Sequence, residues 1–409
     1  MNNKLVITKH NNKIISAFME DGDMIQVSIN SAEETGILGN IYLGKVKNIV
    51  KNINAAFIEI ANGQMCYYSI AENPYPILAK GQGYDKENAD LQETKLKIGD
   101  ELIVQVAKED VKSKAPVVSS NLNFTGKYVA LTYGKRTVGV SSKITDNKER
   151  QRLRKLVTPY VSKEFGLIIR TNAAYIEDKK LIDEILALQA AYEDIRKYGV
   201  HKTCFSLLYS TPPGYICDIR DGYADNVDEV VTDDKELYEN IKNYLKQYQK
   251  EDLSKLRLYT DDLISLSNLY GIRSKISEAI RPMVWLKSGG SIIIQPTEAL
   301  TVIDVNTGKA VAGKKKVQET FLKVNLEAAK EIARQIRLRN LSGIIIIDFI
   351  DMVSVADKKL LMEELDKHLK KDPIKTVLVD MTALGLVEVT RKKVRKPLYE
   401  MVKEGELKN

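Results

Sequence analysis

The sequence predicts a multidomain protein of the α+β class. At 409 residues the chain is too long for one ordinary hydrophobic core, so we expect about two to four domains. Apolar segments from Gly39 to about Val118 are short and lack a helical period, which predicts a small β-barrel. After Ser288, strand patterns alternate with helical patterns. An all-β part therefore precedes a mixed part.

The N-terminal region is predicted to form strands only. Short apolar segments occur at 5–7, 14–15 and 24–29, before the barrel begins. Within the barrel segment, aromatic residues lie near lysines: Phe57, Tyr67 and Tyr68 near Lys45, Lys47 and Lys51. Aromatic rings beside ammonium groups suit base stacking and phosphate contact, although a single aromatic residue more often belongs to a core. The barrel is thus a candidate nucleic-acid surface.

The middle of the chain mixes strands and helices. An apolar face over Lys179–Lys197 predicts a helix, and Thr211–Gly214 predicts a turn or linker. An apolar strand ends at Arg170 and Thr171, whose donors could hold a terminal phosphate. A structural salt bridge at Arg170 is the alternative.

The last third of the chain predicts strands separated by long helices. Residues 215–280 already alternate strand and helix. A stripe of apolar residues predicts a helix over Val317–Arg339, and Ser354 with Asp357 predicts a capping box for the next helix.

Two apolar strands in this region end in carboxylates, at Asp304 and Asp348. Because side chains alternate along a strand, Asn306 shares the face of Asp304, whereas Asp351 lies opposite Asp348 and is set aside. Burying an unpaired carboxylate is costly, so a cation is expected nearby. Oxygen ligands without nearby His or Cys favour Mg²⁺, with Mn²⁺ also possible, over zinc. The alternative is that both acids simply end strands at helix N-termini.

A second phosphate-binding pattern follows the first of these strands. Gly308–Lys315 is one residue short of a P-loop, because Lys315 stands where a Ser or Thr should bind Mg²⁺. A nucleoside triphosphatase therefore stays open as a minor alternative.

Composition excludes several other classes. No run of apolar residues is long enough for a membrane span, and the polar N-terminus does not resemble a secretory signal. Three widely spaced cysteines predict neither disulfides nor a thiolate zinc site, and fit a cytoplasmic protein. Three histidines in no recognisable motif offer little material for a mechanism that needs a His pair or a Ser-His-Asp triad. The net charge of +7 alone does not indicate nucleic-acid binding.

The motifs taken together resemble the ribonuclease E/G family of endoribonucleases. The most specific ones occur in this order: Gly289-Gly290-Ser291, Thr297–Leu300, Ile303–Asn306, Asn325–Ala329, Glu331–Arg339 and Ile347–Met352. A weaker similarity extends from the N-terminus to about residue 400.

The resemblance implies the arrangement of domains. Residues 1–35 and 215–280 would form a structural RNase H-like domain, interrupted by an S1-type OB barrel at 36–125 and a 5′-sensor region at 126–214. A DNase I-like catalytic subdomain would cover 281–400, followed by a C-terminal tail at 401–409.

The resemblance also implies the functional residues. Asp304 and Asp348 would hold the catalytic Mg²⁺, with Asn306 beside the scissile phosphate. RNA would contact Phe57, Tyr67 and Lys114. A 5′-monophosphate would be bound by Gly126, Arg170 and Thr171.

One departure from the family pattern concerns assembly. The segment after Lys396-Pro397-Leu398 lacks the Cys-Pro-x-Cys zinc link, so neither zinc nor a zinc-linked dimer is expected, and the oligomeric state stays open. The predicted function is Mg²⁺-dependent hydrolysis of single-stranded RNA in RNA processing, including rRNA processing, and mRNA decay. A preference for 5′-monophosphorylated substrates is included in this prediction. A non-catalytic RNA-binding scaffold is the main alternative.

Overall fold

The computed structural model describes residues 3–32, 36–79, 95–108, 115–221, 227–308 and 317–403. The chain divides into two compact units, one formed by Met1–Glu34 with Gly214–Asn409 and the other by Thr35–Pro213. Strands and helices occur in both, so the predicted mixed α+β class is confirmed.

An antiparallel meander begins the first unit. Its strands are β1 (Asn3–His10), β2 (Lys13–Glu20) and β3 (Asp23–Ser31). The β2–β3 turn has φ of 49° at Asp21 and 92° at Gly22. Positive φ at both central residues is what a tight hairpin requires, and an Asp-Gly pair adopts it readily. The turn residues thereby set the register of these strands.

A barrel begins the second unit. Its strands are β4 (Ile41–Val50), β5 (Ala55–Glu59), β6 (Met65–Ser69), β7 (Ile77–Leu78), β8 (Glu101–Lys108) and β9 (Val117–Ser119). Pairing runs β4-β5-β6-β9-β8, and β8 pairs again with β4. This order closes a five-stranded barrel of the OB type within the described residues, so the predicted barrel is confirmed.

The second unit continues with a mixed layer. Its elements are β10 (Asn123–Thr125), β11 (Val129–Tyr133), β12 (Val138–Val140), α1 (Asn147–Val157), β13 (Phe165–Ile169), α2 (Asp178–Asp194) and β14 (Leu207–Tyr209). The sheet order is β10-β11-β13-β12, whereas β14 pairs with β4 of the barrel. Helix α2 buries Leu181, Ile185 and Tyr192 and continues as a π-helical turn, Ile195–Gly199. The helix predicted over 179–197 is thus present.

The first unit resumes after the linker. Its next elements are α3 (Gly214–Asp221), β15 (Glu229–Thr232), α4 (Lys235–Tyr248), β16 (Leu256–Leu258), α5 (Leu266–Leu269) and α6 (Ile272–Ala279). Strands β15 and β16 extend the meander in the order β16-β15-β1-β2-β3, with β15 parallel to β1.

A second sheet in the first unit contains the two strands that carry Asp304 and Asp348. Its elements are β17 (Met283–Trp285), β18 (Ser291–Pro296), β19 (Leu300–Asn306), α7 (Val317–Leu338), β20 (Gly343–Asp348), α8 (Val355–Leu369), β21 (Thr376–Met381), β22 (Leu386–Arg391) and α9 (Leu398–Lys403). The strand order is β17-β18-β19-β20-β22-β21. Val402 of α9 is buried, so residues 401–403 are packed helix and not part of the predicted tail.

One face of this sheet carries the hydrophobic core. Ile303, Ile345 and Ile347 are fully buried there against Ile332 and Ile336 of α7. The opposite face is exposed at several apolar residues, including Ile344 and Val377. We call this second surface the open face; Asp304 and Asp348 project from it because they alternate with the buried residues. None of the helices in the described part of the chain has the length and apolarity needed to cross a bilayer.

Candidate active site

Two carboxylates lie side by side at one end of the open face. Asp304 and Asp348 are directly opposite each other in the parallel pairing of β19 with β20. Neighbouring strands are about 4.8 Å apart, so the two charges are close. The strands were expected to bury both acids, but Asp304 is half-buried and Asp348 exposed because the open face is only partly covered. The pair is therefore accessible to a substrate.

The amide of Asn306 belongs to the same cluster. Its Nδ2 donates a hydrogen bond to Asp304 Oδ2 at 2.6 Å. Because this bond fixes the rotation of the amide, the remaining N–H and the carbonyl oxygen have defined directions. The structure thus brings together the three residues that the sequence grouped.

The pKa of Asp348 depends on its burial and on two neighbouring acids. Partial burial raises the pKa of the Asp348 carboxyl, and the charges of Asp304 and Asp351 raise it further. Sequence alternation had set Asp351 aside, but strand β20 ends at Asp348, so the alternation does not extend to Asp351. Asp351 is therefore a third acid near the pair. Repulsion among these acids is the condition that a bound cation relieves.

The donor set fits one kind of metal. No group of three or more His, Cys, Asp or Glu residues is arranged to hold a metal within the described ranges. Magnesium usually takes one or two protein carboxylates and completes its coordination with water and phosphate oxygens. Two carboxylates in register with an adjacent amide match that preference.

Helix α7 supports the loops around the pair. Asn325 is fully buried; its Nδ2 donates to Ile350 O at 2.8 Å, and its Oδ1 accepts from Ile350 N at 3.1 Å. Glu327 accepts hydrogen bonds from the backbone N–H groups of Lys287 and Ser288. Sequence reasoning gave neither residue a role, although both lie in the Asn325–Ala329 motif. They fix the loop after β20 and the turn before β18.

The predicted RNA-contacting aromatics lie together on the barrel. Phe57 and Tyr67 are cross-strand neighbours with ring centroids 6.3 Å apart, edge to face, and both are half-buried. Tyr68 is fully buried and is a core residue. Of the nearby lysines, Lys47 forms an ion pair with Glu59 at 2.6 Å. The third predicted contact, Lys114, lies outside the described residues.

The residues predicted to bind a 5′-monophosphate also lie close together. The Arg170 guanidinium donates a hydrogen bond to the carbonyl oxygen of Gly126. Thr171 Oγ1 lies 3.0 Å from Ser141 Oγ. Gly126 and Arg170 are therefore in direct contact, and Thr171 follows Arg170 at the end of β13.

Glu184 of α2, which sequence reasoning missed, binds the backbone of the loop next to Gly126. Its carboxylate accepts three backbone hydrogen bonds, from Lys127, Tyr128 and Val129, at 2.8–2.9 Å. A Cβ added at Gly126 would lie 2.2 Å from Glu184 Oε1, so the glycine is required for this contact. Burial raises the pKa of Glu184, while the three N–H donors and the charge of Arg170 lower it; burial is the larger effect.

The P-loop-like segment is described only at its first residue. Gly308 has φ of 54°, and a Cβ there would lie 2.3 Å from Gly289 O. Close contact with the neighbouring turn accounts for this glycine without a bound phosphate. Residues 309–316 lie outside the described part of the chain.

Comparison with known proteins gives a consistent set of relatives. A model of the Ribonuclease E/G family matches residues 123–394. Ribonuclease G of Escherichia coli strain K12 is 32% identical over 388 residues, covering 94% of this chain and 79% of that protein. Ribonuclease E of Nostoc sp. strain PCC 7120 is 34% identical over 400 residues, covering 97% of this chain and 57% of that protein. Ribonuclease E of Synechocystis sp. strain PCC 6803 is also 34% identical, over 401 residues.

Proposed function

Since this chain belongs to the ribonuclease E/G family and is an endoribonuclease of that type, we propose that it hydrolyses single-stranded RNA with Mg²⁺ held by Asp304 and Asp348. The observation that carries the proposal is the register of β19 with β20, which puts the two carboxylates side by side on an accessible face. Mn²⁺ has the same oxygen preference and is expected to substitute for Mg²⁺.

The residues of the cluster have separate tasks. Asp304 and Asp348 would bind the cation. Partial burial raises the pKa of Asp348 most, and the repulsion from Asp304 and Asp351 that raises it further is what such binding removes. When bound, a divalent cation supplies a Lewis acid and lowers the pKa of a coordinated water. The Asn306 amide, held by Asp304, would orient a phosphate oxygen or the attacking water.

The proposed reaction is a hydrolysis at phosphorus. Oxygen from water forms a new bond to phosphorus, the bond to the 3′ oxygen breaks, and that oxygen takes a proton. The products then carry a 5′-phosphate and a 3′-hydroxyl. This reaction requires no histidine, which agrees with the absence of a recognisable motif around the three histidines of the sequence.

The architecture supports the domain assignment that the family implies. The strand order β16-β15-β1-β2-β3 supports an RNase H-like domain from 1–35 and 215–280. The closed barrel supports an S1-type OB domain at 36–125. The sheet that carries Asp304 and Asp348 has its hydrophobic core on one face, and this supports a DNase I-like subdomain at 281–400.

RNA recognition is assigned to the second unit. The half-buried rings of Phe57 and Tyr67 would stack on bases, with Lys114 contacting phosphate. Gly126, Arg170 and Thr171 would bind a 5′-monophosphate, and their mutual contacts support this. We place the activity in cytoplasmic RNA processing and mRNA decay, since Cys66, Cys204 and Cys217 form no disulfide.

The test of the site is a cleavage assay on an end-labelled single-stranded RNA, with Mg²⁺ and then with EDTA. Asp304→Asn and Asp348→Asn should each lower the cleavage rate at least about a hundredfold, because each removes a charge that binds the cation. RNA binding should be retained.

The matched control is Asp380→Asn, which changes an exposed acid on β21 of the same sheet. It should cleave at the wild-type rate. RNA binding without cleavage by the wild-type chain would support a scaffold instead, and full activity of either aspartate variant would refute the site. Repeating the assay with 5′-monophosphate and 5′-hydroxyl RNA tests Arg170 and Thr171.

A further inference from the structure

The chain has a single tryptophan, and it is exposed. Trp285 lies on β17 at the edge of the catalytic sheet and is 70% accessible to solvent. Edge strands are usually protected by charged residues or proline, because exposed apolar edges promote aggregation. Trp285 and Met283, both exposed on this edge strand, form an apolar patch of the kind found at binding surfaces.

The register of the sheet places Trp285 on the open face with the carboxylates. Trp285 is opposite Ser291, and Ser291 is opposite Asn306. In the next row, Met283 is opposite Ile293, which is opposite Asp304. Between them, Val284 packs on the core. Since neighbouring strands are about 4.8 Å apart, β17 lies roughly 10 Å from β19.

Two cations flank β17 in the sequence, and the Glu327 carboxylate is bound to the backbone of Lys287 and Ser288 just after the strand. Arg281 and Lys287 lie on either side of β17 in the sequence, and both are exposed. Exposed aromatic rings with neighbouring cations are the usual means of binding single-stranded nucleic acid without sequence preference. Met283, 45% exposed on the same face, adds apolar surface next to the ring.

We infer that Trp285 is a stacking platform for a base next to the scissile phosphate of an RNA strand held at Asp304 and Asp348. This inference rests on the proposed function, and it adds a substrate-positioning residue to the site. Stacking is independent of base identity, because every base has an aromatic face. The platform would therefore fix the position of the strand without selecting its sequence.

Intrinsic fluorescence offers a direct test, because a single tryptophan reports a single position. A short single-stranded RNA mixed rapidly with the protein in Mg²⁺ should quench Trp285 emission before the RNA is cleaved. An oligonucleotide of the same length and charge with abasic sugars should quench it much less.

Substitution gives the second readout. Trp285→Ala should lower kcat/KM roughly 5- to 150-fold, the range that corresponds to loss of one stacked base. Trp285→Phe should keep most of the activity, because it keeps an aromatic face. Tyr248→Ala, which removes an aromatic side chain 60% exposed at the end of α4, is the matched control and should be unchanged. The thermal unfolding midpoint should be unchanged in all three variants, because both side chains are mainly exposed.

Three outcomes separate the possibilities. Absence of quenching, or full activity of Trp285→Ala, overturns the inference while Asp304→Asn stays inactive and the proposed function stands. Full activity of Asp304→Asn refutes the proposed function whatever Trp285 does. An emission maximum that shifts with protein concentration, together with a dimer that Trp285→Ala dissociates, assigns this surface to a second copy and overturns the inference.

Discussion

The Glu184 carboxylate shows how contacts distant in the sequence build a local structure. Its three backbone partners are 55–57 residues away along the chain. No local pattern in the sequence could indicate that Gly126 must be glycine in order to admit this carboxylate. By contrast, Asn306 was predictable from the period of two along β19, whereas that period does not reach Asp351, because β20 ends three residues earlier.

Glu184 leads to a prediction about pH. Its folded-state pKa is raised above the ordinary value of 4.5, chiefly by burial, with Arg170 as the charged group acting on it. The stability contribution from its protonated form is present below pH 4.5 and is lost as the pH rises through the folded pKa. The free energy of unfolding of the wild type should therefore fall relative to Glu184→Gln over that interval and become constant above it.

The measurement is urea denaturation of both proteins at a series of pH values. In Glu184→Gln, loss of the carboxylate's hydrogen bonds changes the free energy of unfolding by an amount that does not depend on pH. The test is therefore how the difference in free energy of unfolding between the two proteins changes with pH. Glu193→Gln, an exposed glutamate on the same helix, should show no such slope. A slope of the opposite sign for Glu184→Gln would mean that the hydrogen bonds outweigh burial.

Among the elements, α8 and α7 were predicted most accurately. Ser354 is the N-cap of α8 and accepts a hydrogen bond from Asp357 N at 3.2 Å, as the capping box indicated. Helix α7 ends one residue before the predicted end. Two of its basic residues do more than face solvent. Arg334 donates a hydrogen bond to Met24 O, and Arg337 donates one to Gln26 Oε1. These bonds join α7 to β3, a pairing that local sequence could not predict.

A buried ion pair fixes the end of β22. Arg391 and Asp372 are almost completely buried, with Nε 2.6 Å from Oδ2, and Arg391 also donates to Asn340 Oδ1 and Leu341 O. Arg391→Ala should lower the free energy of unfolding by about 3–5 kcal/mol, because it leaves the Asp372 charge buried without its partner. Chemical denaturation measures this loss.

The control for the ion pair is Lys367→Ala, which removes an exposed i,i+3 partner of Glu364. Its unfolding midpoint should hardly change, since exposed ion pairs are screened by solvent. A similar loss in both variants, or a loss below about 1 kcal/mol for Arg391→Ala, would contradict the buried-pair account.

For the whole molecule, the main feature is the pairing of strands that are far apart in the sequence. Strand β1 pairs in parallel with β15 more than 220 residues later, and Asn3 N donates to Asp228 Oδ2 across the same separation. Hydrophobic patterns identify each strand but contain no information on such distant pairing. Thr211–Gly214, predicted as a linker, lies where the chain passes from the second unit to the first.

The central claim is that Asp304 and Asp348 act as one unit on RNA. A double-mutant cycle of single-turnover cleavage rates tests it, using Asp304→Asn, Asp348→Asn and the double variant, with Asp380→Asn as reference. Residues that serve one bound cation are strongly non-additive. We expect the double variant to be no slower than the slower single variant. Losses that multiply, or a single variant that cleaves at the wild-type rate, would contradict the claim.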